Sequence, residues 1–154
     1  MEFSGKKVTV VGTGISGIGA VGLLNAVGAE VVLYDGNEKL KIEDIEKKLG
    51  TYKAEIVLGE LTKELTDSSD LLVISPGVPI DSPVVKAFEA AGVPVWGEVE
   101  LAYAFDKGKV LAITGTNGKT TTTALVGQIV GAYHKDTFVV GNIGNPYTTE
   151  VLKS

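Results

Sequence analysis

Lys119 stands between Gly118 and the pair Thr120-Thr121, in the run Val110-Leu-Ala-Ile-Thr-Gly115-Thr-Asn-Gly118-Lys119-Thr120-Thr121. An apolar stretch feeds this glycine turn, and a helical pattern starts directly behind it. Glycines let successive backbone N–H groups face inward, and the start of a helix adds its positive end, so the turn is an anion cradle. In such a cradle the Lys119 ammonium reaches the β- and γ-phosphates of a nucleoside triphosphate such as ATP, and the Thr120 hydroxyl ligates Mg2+. Gly115, Thr116, Asn117, Gly118 and Thr121 complete the phosphate-facing set. The strict form of the pattern has a glycine six residues before the lysine, where this chain has Ile113. The competing account is a tight strand-to-helix turn that ends in lysine.

A second glycine loop lies near the start, in VTVVGTGISGIG at 8–19, and VVLYD follows, ending at Asp35. Apolar strand, glycine turn, helix and a second strand ending in an acid are the parts of a dinucleotide site. Gly14 and Gly17 permit close backbone approach, and the helix opening near Ile15 and Ser16 turns its positive end toward a diphosphate. NAD and another diphosphate both suit this loop, with Asp35 accepting from a ribose or a base. Ser75-Pro76-Gly77 ends a further apolar run, at the sheet edge where open α/β folds bind ligands; alternatively it is a turn that only ends a strand.

These loops need a scaffold. Residues 7–11, 30–34, 54–58, 71–75 and 93–96 read as strands, and residues 15–27, 39–49, 83–91 and 98–105 as helices, with Pro83 in a first turn. The alternation predicts a Rossmann-like, doubly wound parallel α/β sheet. Residues 1–108 hold 10 lysines against 17 acids, and residues 109–154 hold 4 against 2. That shift places a domain boundary near 107. Beyond it, strands at 110–114 and 137–140 around a helix at 119–132 predict a right-handed βαβ unit, the truncated start of a P-loop α/β domain. A lone βαβ unit cannot cover both faces of its sheet. Exposed strand edges and the apolar Val110, Leu111, Ile113, Val139 and Val140 then lead to an expectation of self-association through residues beyond about 108.

Composition narrows the partners. The net charge is −5, which argues against nucleic acid or an anionic membrane as the main partner. All 14 basic residues are lysine, so phosphate binding falls to backbone N–H groups, hydroxyls and ammonium rather than guanidinium. Cysteine is absent, which removes thiolate nucleophiles and zinc–thiolate sites. No leader pattern precedes the first strand, so the expected location is cytoplasmic. Glu98 and Glu100 read as solvated or capping residues, Trp96 as packing at a strand end, Tyr34 as either flanking a bound base beside Asp35 or a core or rim residue, and His134 as a surface or capping residue.

Taken together, TGTNGKTTT at 114–122, GTGISG at 12–17, SPGVP at 75–79, GEVEL at 97–101 and GNIGNP at 141–146 resemble the Mur ligases of peptidoglycan precursor synthesis, in particular the branch that adds D-glutamate. The resemblance spans essentially the whole chain. It implies residues 1–107 as a domain binding the UDP part of the substrate and residues 108–154 as the beginning of the ATP-binding central domain. It implies that Gly14, Ile15, Ser16 and Gly17 face the substrate diphosphate, that Asp35 and Gly36 lie toward the uridine, and that Ser75, Pro76 and Gly77 reach uridine or diphosphate. Asn142 then approaches the diphosphate or sugar. The implied reaction joins D-glutamate to UDP-N-acetylmuramoyl-L-alanine with ATP and Mg2+, through an acyl phosphate, with Lys119 holding the γ-phosphate. Further magnesium ligands, a carbamylated lysine, a histidine and most adenine and D-glutamate contacts are implied beyond Ser154, so the chain by itself is expected to be inactive. Another Mur-type amide ligase, or a regulatory module binding NAD, is the alternative.

Overall fold

The computed structural model of the chain describes residues 2–154. The chain runs β1 (Lys7–Val11), α1 (Ile15–Ala26), β2 (Glu30–Asp35), α2 (Ile42–Leu49), β3 (Glu55–Leu58), α3 (Lys63–Ser68), β4 (Leu71–Ile74), α4 (Pro83–Ala90), β5 (Val95–Gly97), α5 (Glu98–Phe105), α6 (Lys119–Tyr133) and α7 (Tyr147–Val151). The five strands form one sheet in the order β3-β2-β1-β4-β5, and every pairing is parallel. The α/β class and the doubly wound sheet expected from the alternation are therefore present.

Successive side chains of a strand point to opposite faces, and both faces of this sheet are covered, which is why β4 is wholly apolar and the other strands carry their charged residues at the ends. Val8, Val10, Leu33 and Val73 point to one side, where Val21 and Leu24 of α1 meet Ile45 of α2 and Leu101 of α5. Val11, Val32, Leu72 and Ile74 point to the other, against Val85 and Phe88 of α4. Trp96 packs at the sheet margin, its ring edge-on to Phe3 at 6.0 Å. Thr62 caps α3, its hydroxyl accepting from the Leu65 N–H at 3.3 Å. No helix among the described residues is long and apolar enough to cross a membrane.

The region after 107 departs from expectation. Helix α6 forms as predicted, but 110–114 and 137–140 are not strands. The one pairing there among the described residues is an isolated parallel bridge between Val140 and Asn145. β-Branched composition supplies a preference for extended backbone, whereas a strand also needs a neighbour to complete its hydrogen bonds along its length, and among the described residues 110–114 has none and 137–140 only the bridge at Val140. The crossover between two paired strands is absent with them, and so are the strand edges invoked for self-association. Apolar exposure does persist at Val110, Leu111, Leu125, Ile129, Tyr133 and Phe138.

Helix α7, which sequence periodicity did not reveal, packs back on α1 and α5. Glu150 on α7 accepts from Lys153 Nζ at 2.8 Å and from the Asn145 amide at 2.5 Å. The Lys153 bond, aided by Asn145 and by the lysine's charge, holds the Glu150 carboxyl below its ordinary pKa against the opposing effect of burial. A depressed folded-state value stabilises the fold above the ordinary carboxylate range, and that contribution disappears as pH falls through the folded value. Hydrogen exchange should therefore show α7 amides losing protection below about pH 4 while those of β1 and β4 stay protected, with a smaller pH effect on α7 in Glu150→Gln.

Candidate functional site

The sheet order makes β1 the turning point. From β1 the chain winds outward through β2 to β3, then returns to β4 on the opposite side of β1. At such a switch point the connections leaving the two central strands diverge and open a crevice at their C-terminal ends. The loop at 12–14 leaves β1 and the turn at 75–77 leaves β4, so the topology brings both glycine-containing turns to one place. The Ser75 N–H donates to the Val11 carbonyl at 3.2 Å, and the Gly12 N–H donates to the Tyr34 carbonyl at 2.9 Å.

The glycines of this loop have different reasons to be glycine. Gly12 has a φ of +106°, and a Cβ there would lie 2.8 Å from Ser75 Oγ. A Cβ on Gly17 would lie 1.9 Å from the Gly12 carbonyl oxygen, so α1 can start against the loop only without a side chain at that position. Gly14 is extended, with a φ of −78°, and has open space where a Cβ would stand. Its outer face is the accessible wall of the loop. Ile15 and Ser16 follow at the start of α1, Ile15 78% exposed, and neither an acidic residue nor a side-chain cap occupies that helix's first turn. Ser75 Oγ is buried beside Gly12 and Gly17 and has no hydrogen-bond partner.

Asp35 closes the crevice from β2. Its Oδ2 accepts from the Thr13 hydroxyl at 3.0 Å and from the Thr13 N–H at 3.3 Å, and its Oδ1 accepts from the Asn37 N–H at 3.0 Å. These bonds fix the carboxylate over the loop and leave it further lone pairs to accept with. Thr13 escaped the sequence reading; its only signal was a hydroxyl residue set between two glycines. Gly36 is exposed beside Asp35. Tyr34 turns away, donating to the Gly59 carbonyl at 2.7 Å, and burial followed by the Asp35 charge raises its pKa. It is a core residue. Pro76 and Gly77 are exposed at the mouth of the β4 turn.

The second glycine turn runs into α6. Gly115 (φ +151°) and Gly118 (φ +76°) both adopt positive φ, and Gly118 leads directly into α6. Lys119 Nζ donates to the Gly115 carbonyl at 2.6 Å and to the Thr116 carbonyl at 3.3 Å, which folds the ammonium over the turn. Asn117, Thr120 and Thr121 are exposed around it. Asn142 is exposed on a turn between Gly141 (φ +108°) and Gly144 (φ +75°), directly ahead of α7.

Glu98 corrects the sequence reading most sharply. It is 3% exposed, not solvated, and accepts from the Thr148 N–H at 2.8 Å and from the Thr148 hydroxyl at 2.7 Å. No local pattern signals this contact, because 50 residues separate the partners.

Residues 6–97 match the family described as Mur ligase MurD-like, N-terminal domain. The chain is 68% identical over its full length to a UDP-N-acetylmuramoylalanine–D-glutamate ligase of Lachnospira eligens, and 57% identical over 98% of its length to one of Lachnoclostridium phytofermentans. It spans about a third, 34%, of each of these relatives. Among solved structures it is similar in fold to a pseudomurein peptide ligase type C from Methanothermus fervidus, with a TM-score of 0.57 at 24% identity, over 95% of this chain and 31% of that one.

The loop geometry separates Gly14 and Gly17, three positions apart. Gly17→Ala should lower stability by roughly 1–3 kcal/mol, the usual cost of forcing atoms into a packed site. Gly14→Ala should stay within about 0.5 kcal/mol of the parent, as surface changes usually do. Denaturant titration of the two variants checks the contrast, and equal stabilities would contradict the packing described here.

Proposed function

The chain belongs to the MurD-like Mur ligases through its N-terminal domain, and from that premise we propose that residues 1–107 grip the UDP end of UDP-N-acetylmuramoyl-L-alanine while residues 108–154 begin the site for ATP. The observation that carries this reading is the meeting of the β1 and β4 turns at the C-terminal edge of the sheet. Gly14 offers open backbone, α1 presents its uncapped N-terminus, and the buried Ser75 hydroxyl has no partner of its own. A diphosphate would take hydrogen bonds from those N–H groups and from Ser75, with Ile15, Ser16 and Gly17 along its flank. Asp35, held by Thr13, would accept from the uridine beside Gly36, and Pro76 and Gly77 would line the opposite wall. Asn142 would reach the diphosphate or sugar from the later turn.

In the second cradle the donor set suits a triphosphate: positive-φ glycines at 115 and 118, the N-terminus of α6, the Lys119 ammonium, and the hydroxyls of Thr116, Thr120 and Thr121. The Thr120 hydroxyl would ligate Mg2+, which when bound neutralises phosphate charge. The overall reaction would be phosphoryl transfer from ATP to the L-alanyl carboxylate, followed by attack of the D-glutamate amine and loss of phosphate. What this chain's residues contribute is alignment and charge neutralisation: Lys119 exchanges its loop carbonyls for phosphate oxygens and holds them as negative charge redistributes. The relatives' naming supports D-glutamate as the incoming amino acid.

Two variants divide the reading. Gly14→Val should fold normally, because its φ is negative and its Cβ position is open, yet lose UDP binding in calorimetric titration. Unchanged UDP affinity, or equal affinity of the parent chain for NAD, would sink the first-loop assignment. Lys119→Ala in the full-length ligase should cut turnover by about 10²–10³-fold with UDP affinity unaltered. Assaying that ligase with D-glutamate against other amino acids tests the substrate, and preference for another amino acid would point to a different Mur-type ligase.

A further inference from the structure

We propose that Glu98 is a positioning residue: its buried carboxylate holds the turn at 141–146 beside the loop at 12–17, so that the substrate site is assembled from both. The proposal rests on the reading of the 12–17 loop as the UDP site.

A carboxylate removed from water is retained only where donors replace its hydration. The two donors the structure gives Glu98 both belong to Thr148, the second residue of α7. Simple packing of α7 against α5 would be served by an apolar side chain. A carboxylate with two bonds to one residue instead fixes where α7 begins and how it is turned, because both the N–H and the hydroxyl direction are specified.

The place it fixes is close to the first loop. A Cβ on Gly19 would lie 2.7 Å from Thr148 Oγ1, 2.8 Å from Thr149 Oγ1 and 3.6 Å from Pro146 Cβ, so the start of α7 rests in a notch that this glycine leaves in α1. Gly19 is one helical turn past Ile15, which opens α1 at the loop. Asn142 is four residues before Pro146 and so within roughly 13 Å of the notch along the chain. A second tie reinforces the first, since the Tyr147 hydroxyl donates to Asp106 Oδ2. Burial, then the bond to Asp106, raises the Tyr147 pKa well above the ordinary phenol value, which keeps the hydroxyl a donor. The segment 107–146 therefore leaves and rejoins the sheet domain at neighbouring points, with Glu98 setting the angle of return.

The test compares UDP with UDP-N-acetylmuramoyl-L-alanine as ligands in calorimetry on the parent chain, Glu98→Leu, Thr148→Val, Thr148→Ser, Asn142→Ala and the double variant Glu98→Leu/Asn142→Ala. With the Asn142 turn meeting the muramoyl sugar rather than the diphosphate, loss of the clamp should leave UDP affinity within about twofold but weaken the muramoyl ligand about tenfold in both Glu98→Leu and Thr148→Val, the scale of one or two hydrogen bonds. Thr148→Ser, which keeps the hydroxyl, should restore parental affinity, and the double variant should bind no more weakly than Asn142→Ala. A purely structural Glu98 would instead give weakening that adds in full to Asn142→Ala, or equal losses for both ligands, and either result overturns the proposal. Hydrogen exchange at 141–146 supplies a readout independent of ligand: faster exchange there in Glu98→Leu and Thr148→Val, with β1 unchanged, supports the clamp, and unaltered exchange defeats it. If the parent chain binds no UDP, the functional reading fails while the exchange experiment still decides the role of Glu98.

Discussion

The contact on which the remaining architecture depends is the approach of Gly17 to the carbonyl of Gly12. A methyl group at position 17 would stand 1.9 Å from that oxygen, so helix α1 begins where it does only because nothing projects from its first turn toward β1. The consequences spread in two directions. On one side, α1 points its N-terminal amides toward the β1 and β4 turns. Toward the core, the same placement sets Val21 and Leu24 on Val8, Val10 and Leu33, so the anchoring of the helix by apolar burial and its aim at the crevice cannot be altered separately.

How much of this was legible depends on the range over which each signal acts. The five strands are runs of β-branched and aliphatic residues, and the doubly wound sheet follows from their alternation with helical patterns. The two glycine turns are local too, since glycine spacing and the helix behind it lie within a dozen residues. Helix α3 was hidden because Lys63–Ser68 is short and polar and is marked only by its Thr62 cap. Helix α7 was hidden because Tyr-Thr-Thr-Glu-Val favours extended backbone in isolation; its docking on α1 and α5 overrides that preference. The failure at 110–114 and 137–140 is the converse case, in which local preference for a strand was real and the partner was missing.

The site residues divide in the same manner. Gly14, Ser75 and Asp35 could be picked out from the sequence because each lies at or just beyond the C-terminal end of a strand. Thr13 and Glu98 could not, because their partners lie 22 and 50 residues away. Both are hydrogen-bonding residues whose function is to orient another group: Thr13 steadies the carboxylate that faces the crevice, and Glu98 steadies the helix that follows the Asn142 turn. Such residues leave no periodic trace, since what selects them is the position of a donor or acceptor in space.

The pairing of Asp106 with Tyr147 gives the segment between them an unusual mechanical character. A unit joined to a neighbour by one strand of chain can swing in any direction, like a flag on a single cord. Here the outgoing and returning strands are fastened side by side, 41 residues apart in sequence, and the α6 cradle lies on the span they enclose. Two adjacent fastenings act as a pair of pins in a door. Together with the Thr148 bonds to Glu98, they hold both ends of residues 107–146 at one edge of the sheet domain, against α5 and α7.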